Sequence, residues 1–331
     1  ADGTVCLWDL ESGVITRRFV DTQFKIVYCM ALFRDQARFL AAGDGPGIVL
    51  WDLETGHKIK QFDHDPTIYS IALLQDNQSF VCGDANGKVL QFEIGGDKSV
   101  KTWRDDSGDI TALIVTPDHA GFVAGNDDGQ VTLWKLAGDE PETRFKGLTN
   151  WTCCLRFSED GRQLFGCDYS GNVALWNSGT QEQIWLKETL ASDICWGHFV
   201  DEESLLVVDT DDAWYMIDRQ TGEASRKSMT IPLPAGFDLS PDRSTFWSGG
   251  TQMICGWDIE SGKRIFPADD LLQFAQGIQS LAVHNYRVFV ATSAPAVLVW
   301  DWPTGQRLPD LYFQDALNIE WDNLHLLALD D

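Results

Sequence analysis

Short apolar strands followed by polar turns recur along the chain at near-constant intervals: VCLWDLESG, IVLWDLETG, VLQFEIGG, VTLWKLAG, VALWNSGT, WYMIDRQTG, ICGWDIESG and VLVWDWPTG. Their marker residues are Trp8, Trp51, Phe92, Trp134, Trp176, Ile217, Trp257 and Trp300, separated by 43, 41, 42, 42, 41, 40 and 43 residues. A second column lies upstream of each marker, in an alternating strand with a small residue where packing is tightest. Its members are Cys29, Ser70, Ala112, Cys154, Cys195, Gly236, Ser280 and Asn318. Each of these strands runs into a polar turn such as FRDQ, TPDH, SEDG or SPDR, then into another apolar strand such as FLAAG, FVCGD or LFGCD. Alternation interrupted by turn residues predicts strands and excludes helices.

Each unit therefore reads as four antiparallel strands, a to d. Strand a carries the small residue, b follows the polar turn, c ends at the marker, and d follows the SG or TG turn. A period near forty residues is that of a propeller blade, so the columns predict an all-β, eight-bladed β-propeller. The chain starts with strands c and d (TVCLWD, VITRRF) and finishes with a and b (LNIEW, LHLLALD). Residues 1–22 and 310–331 are thus expected to form the closing blade of a single domain spanning 1–331. Joining first strands to last removes the exposed sheet edges of an open array.

Apolar residues make up 44% and charged residues 23% of the 331 positions, which fits a folded chain and not a disordered one. No run is long enough to span a membrane, and ADGTVCLWDL lacks the basic-then-apolar order of a signal peptide. The net charge of −25 repels phosphate backbones and anionic lipid, which argues against nucleic-acid and membrane partners and for a basic one. The chain begins without Met, as expected of a processed product or a piece of a longer protein.

The markers carry a resemblance to the Trp-Asp (WD) repeat family. The dipeptide stands at Trp8-Asp9, Trp51-Asp52, Trp257-Asp258 and Trp300-Asp301, and is degenerate at Trp134-Lys135 and Trp176-Asn177. The family's hydrogen-bond network joins a His before strand a, a b-strand Ser or Thr, a b–c turn Asp and the c-strand Trp. Only His64 aligns with the His position, and its repeat offers Asn86, Cys82 and Phe92 at the others. Asp2 and Asp128 fall at the turn position, where other repeats have Gly45, Ser170, Thr251 and Ala294. Packing, and not this network, is therefore expected to hold most blades. The resemblance implies a rigid, non-catalytic scaffold that binds a protein or peptide without a cofactor, as a cytoplasmic, monomeric ring. It also admits a sensor module of a larger signalling protein. Ring size, the DLETG-type turns and the Cys153-Cys154 pair are similar to quinoprotein dehydrogenases as well, but these repeats are too short to supply a metal–quinone site.

Candidate chemistry is sparse. Cys29, Cys154 and Cys195 share strand a, Cys82 and Cys167 strand b, and Cys6 and Cys255 strand c, as expected of reduced core residues. The six His (57, 64, 119, 198, 284, 325) fall at different repeat positions and do not converge; His198 is the one that could serve as a general base. The acidic stretches at 105–109, 125–129 and 209–214 lack calcium-loop spacing and fit turns. Trp103, Trp185 and Trp247 suit packing between blades. Trp151 differs, because it lies where the d–a loop enters strand a, on the face where propellers meet ligands. Its counterparts there are Lys25 or Ile26, Thr67, Asp109, Ser192, Leu233, Gly277 and Asp315, and of these Lys25, Thr67, Asp109, Ser192, Leu233 and Asp315 form the expected partner-binding face with Trp151.

Overall fold

A computed structural model describes residues 4–9, 14–21, 26–104, 108–188, 190, 193–211, 213–228, 236–249, 254–266, 278–284, 287–292, 296–301, 306–307 and 311–312. All regular elements among them are β-strands. The chain divides into two compact units, one of residues 28–227 and one of 1–27 with 228–331. The first holds five consecutive blades, each a four-stranded antiparallel meander in chain order, with first strands at Val27–Leu32, Ile68–Leu73, Ile110–Val115, Thr152–Phe157 and Ile194–Phe199. The second holds the sixth blade, beginning at Gly236–Leu239, the seventh, beginning at Ile278–His284, and the hairpin Thr4–Asp9/Val14–Val20.

These sheets are the blades of the β-propeller that the spacing predicts, with strand c ending at each marker. In the seventh blade Gln306–Arg307 and Leu311–Tyr312 both pair with Ala296–Asp301. Residues 311–312 thus belong to the seventh blade, which corrects the boundary expected at 310. The closing blade's strands c and d are the N-terminal hairpin. Its expected a and b strands lie outside the described residues.

In the unit of residues 28–227 the core sits between successive sheets. Phe33, Leu40, Phe62, Phe80 and Phe92 join the first and second blades. Val81, Trp103, Ile110 and Phe122 join the second and third, and Phe165, Leu175, Ile194 and Leu205 the fourth and fifth. Each such side chain contributes about 1.5–3 kcal/mol when fully buried. Outer-strand residues reach across as well: Trp103 Nε1 donates to Gly138 O at 2.8 Å and Trp185 Nε1 to Arg219 O at 3.0 Å. Trp247 is wholly buried in the sixth blade's second strand.

The a–b pairing carries a bulge at the second residue of strand a in five blades, for example between Ile110 and Ala112 and between Thr152 and Cys154. This register corrects the small-residue column. Trp196, and not Cys195, is the counterpart of Cys154. Small side chains at the second or third residue of strand a donate to the next blade's first strand: Cys29 Sγ to Ile68 O at 3.8 Å, Ser70 Oγ to Ile110 O at 3.5 Å, and from the bulged position Thr111 Oγ1 to Thr152 O at 2.8 Å and Cys153 Sγ to Ile194 O at 2.9 Å.

Aspartates organise all three turn types. The Asp that follows the marker accepts from the turn three residues on: Asp52 Oδ1 from Thr55 N at 2.6 Å, and Asp218 Oδ1 from Thr221 N at 2.7 Å. In the a–b turns, Asp118 accepts from Thr116 Oγ1 at 2.6 Å and Asp160 from Ser158 Oγ at 2.6 Å. The residue after these aspartates is left-handed in all cases described, at φ 57° for His119 and 69° for Gly161. In the b–c turns the organising residue is the last of strand b. Asp84, Asn126, Asp168 and Asp209 each accept through Oδ1 from the backbone N–H groups two and four residues on.

This b–c arrangement corrects the position at which the network's turn residue was expected. Its Asx column stands two residues before Asn86, Asp128 and Ser170, where the sequence alignment placed it. His64 Nε2 meets Asp84 Oδ2 at 2.9 Å, and in the sixth blade Trp257 Nε1 donates to Ser248 Oγ at 2.9 Å. The marker tryptophans Trp51, Trp134, Trp176 and Trp257 stand opposite a bulge in strand d, whose extra residues are Ile59, Glu142, Ile184 and Ile265.

Candidate functional site

Thr67, Asp109 and Trp151 occupy one structural position. Each immediately precedes strand a, and its carbonyl accepts from the residue after the b-strand Asx: Ala85 N to Thr67 O at 2.9 Å, Asp127 N to Asp109 O at 3.1 Å, Tyr169 N to Trp151 O at 3.2 Å. Thr210 N bonds Asp193 O in the same way, at 2.9 Å, so Asp193 is the fifth blade's counterpart, one residue after Ser192. Lys25, Ser192, Leu233 and Asp315 lie outside the described residues.

The loop that delivers Trp151 is clamped by the buried Asp168. Its Oδ2 accepts from Thr149 N at 2.8 Å, Asn150 N at 3.2 Å and Asn172 Nδ2 at 2.9 Å. Asn150 Oδ1 in turn accepts from Trp151 N at 2.7 Å. The indole is half-buried. It meets Tyr69 of the second blade edge-to-face, with centroids 5.6 Å apart at 76°, and stacks on the exposed Tyr169 at 6.2 Å and 12°. Tyr69 also contacts Tyr28 at 5.3 Å. Sequence reading found Trp151 but missed the three tyrosines; Tyr69 falls at the bulged second position of strand a, where strict alternation misassigns the face.

Carboxylates border this aromatic run. Asp109 N donates to Asp127 Oδ1 at 2.8 Å, and the Asp109 carboxylate lies close to the Tyr69 hydroxyl. Partial burial, then the neighbouring charge of Asp127, push the Asp109 carboxyl above its usual range. Burial and Asp109 push the Tyr69 phenol up too. A pair of like charges beside half-buried rings favours a cation, which would relieve their repulsion and lie against the ring faces.

Elsewhere, chemistry is structural. His198 Nδ1 is 2.7 Å from Phe199 O, and its ring stacks on Trp196 at 5.8 Å. His119 fills a turn position. Among the described residues no group of three or more His, Cys, Asp or Glu is disposed to hold a metal ion. No helix is long and apolar enough to cross a membrane.

Two segments, residues 97–135 and 139–177, match the family described as WD domain, G-beta repeat. Each match runs from strand d of one blade through strands a, b and c of the next. Comparison with curated proteins finds no match. Among solved structures, the computationally designed Ika8 protein is similar at a TM-score of 0.77 and 18% identity, over 92% of this chain and 91% of that one.

Proposed function

We propose that this chain, whose fold is that of a WD-repeat propeller, is a non-catalytic binding scaffold that takes a basic protein segment on the face built around Trp151. The observation that carries the reading is the run Tyr28–Tyr69–Trp151–Tyr169 bordered by Asp109 and Asp127. Aromatic side chains on stiff strands present contact area at low entropic cost, and the like-charged carboxylates select lysine or arginine. The net charge of −25 extends the same preference to long range and opposes nucleic acid. The reading places the protein in the cytoplasm as a monomer; the seven described cysteines, all free thiols, support a reducing compartment.

Selection of peptides from a random displayed library tests this. Lysine- or arginine-containing sequences are expected, with affinity lowered at least about tenfold by Trp151→Ala and lowered by raising salt from about 0.05 to about 0.5 M. Selected peptides that are neutral or acidic, or that bind Trp151→Ala and Asp109→Asn as well as the parent chain, refute it.

A further inference from the structure

Three sulfurs meet where the fourth blade's first two strands pair. The bulge at Cys153 sets two residues against one, so Cys154 is the ladder partner of Cys167 while Cys153 Sγ stands 3.2 Å from Cys167 Sγ. Residues directly opposed in an antiparallel ladder have Cα atoms about 4.5–5.5 Å apart, inside the disulfide range of about 4.4–6.8 Å. Cys153 and Cys154 are partly exposed, whereas Cys167 is buried. Arg156 Nε and Cys154 Sγ share one acceptor, Gly197 O, at 3.1 and 3.4 Å, which holds the guanidinium beside the thiol.

We propose that Cys154 and Cys167 form a peroxide-oxidisable site, with Cys154 as the reacting thiol and Cys167 as the resolving one. The sulfur of Cys154 attacks a hydroperoxide; an S–O bond forms, the O–O bond breaks, and the leaving oxygen takes the thiol proton as water or an alcohol. The sulfur of Cys167 then attacks the sulfenic sulfur; the S–S bond forms, the S–O bond breaks, and hydroxide leaves as water with the Cys167 proton. Two thiols and one hydroperoxide thereby give a disulfide, one water and one alcohol, or two waters from hydrogen peroxide. Cys153 is placed to exchange with the bridge through Cys167.

The electrostatics agree with the geometry. A hydrogen bond with Cys167, and beyond it Arg156, hold the Cys154 thiol below its ordinary range, while burial pushes Cys167 up. Burial also pushes up Cys29 and Cys82, which neighbour one another in the first and second blades and serve as an internal control. Cys167 directly precedes Asp168 and Tyr169, so a bridge there reaches the residues that clamp and stack on Trp151. Only this last link rests on the proposed function; the chemistry needs no partner.

The test is titration of the reduced chain with hydrogen peroxide, followed by thiol counting and peptide mapping without reductant. The expected result is early loss of two thiols, a linked pair containing Cys154 and Cys167, and full reversal by dithiothreitol. Cys154→Ser slows the loss at least about tenfold, whereas Cys153→Ser and Cys29→Ser still form the bridge. Sulfinic acid at Cys154 with no bridge, a first-formed bridge from Cys153 to Cys167, an equal rate in Cys154→Ser, or a Cys29–Cys82 bridge forming as fast would overturn it. Should Cys154→Ser not fold, the bridge map of the unaltered chain and its rate against the Cys29–Cys82 pair decide.

Discussion

Removing the carboxylate of Asp168 should loosen the Trp151 loop and the fourth blade together. Asp168 is fully buried and accepts five hydrogen bonds, from Ser170 N, Asn172 N, Thr149 N, Asn150 N and Asn172 Nδ2, at 2.8–3.2 Å. Bonds to a charged acceptor are each worth about 1.5–3 kcal/mol, but Thr149 and Asn150 are exposed and regain part of this from water. Asp168→Ala should therefore cost about 3–5 kcal/mol, well below the simple sum. Asp168→Asn keeps one oxygen but turns its NH₂ toward donors, so it should cost about 2–3 kcal/mol. The assay is urea unfolding followed by tryptophan fluorescence, with Asp160→Asn in an exposed a–b turn as the control. A loss below about 0.5 kcal/mol for Asp168→Ala, comparable to a neutral surface change, would refute the claim that this residue holds the b–c turn and the loop.

Two further outcomes follow from packing and titration. A methyl group on Gly83 would lie 2.3 Å from Ile110 Cγ2 and 2.7 Å from its Cβ, whereas at Gly95 it would meet nothing. Gly83→Ala should thus destabilise by about 1–3 kcal/mol and Gly95→Ala should leave the thermal midpoint unchanged; equal midpoints would contradict tight packing between the second and third blades. The a–b turn aspartates Asp118, Asp160 and Asp242 are held below the usual carboxylate range by Ser or Thr hydroxyls and backbone amides. At Asp84 burial pushes the carboxyl up, but His64 and two backbone amides outweigh it, and the net direction is again down. Groups depressed on folding stabilise above their unfolded pKa of about 3.9, and that stability is lost as pH falls through the folded value. Asp109 is raised and runs the other way, but it is one against many. The thermal midpoint should stay flat down to about pH 5 and fall steeply below about pH 4; a midpoint that holds to lower pH would count against these turns.

Blade number and strand order were legible in the sequence because both depend on spacing, which a run of apolar residues ending at Trp8, Trp51 or Trp134 reports directly. Side-chain facing was less legible, for a specific reason. Each bulge adds a residue that alternation does not count, which sets Cys195 one position off and hides Tyr69 beside Trp151. The b–c network escaped for a related reason. Its organising Asx residues end a buried strand, and they read as part of LFGCD or FVAGN and not as turn chemistry. The family matches make the same point. They fall on blades whose dipeptide is degenerate, Trp134-Lys135 and Trp176-Asn177, but whose Asn126 and Asp168 turns are complete.

The side chains that donate to the next blade's carbonyl can be hydroxyls or thiols: Cys29, Ser70, Thr111 and Cys153 perform one task. That task asks only for a small group with a hydrogen to give, and the thiol is the weaker donor. Serine and cysteine are thus close to interchangeable at these joints as far as folding is concerned, while differing entirely in what they do with an oxidant. The seam between two blades therefore fixes the size of the side chain and the hydrogen it gives, and leaves open whether oxygen or sulfur carries that hydrogen.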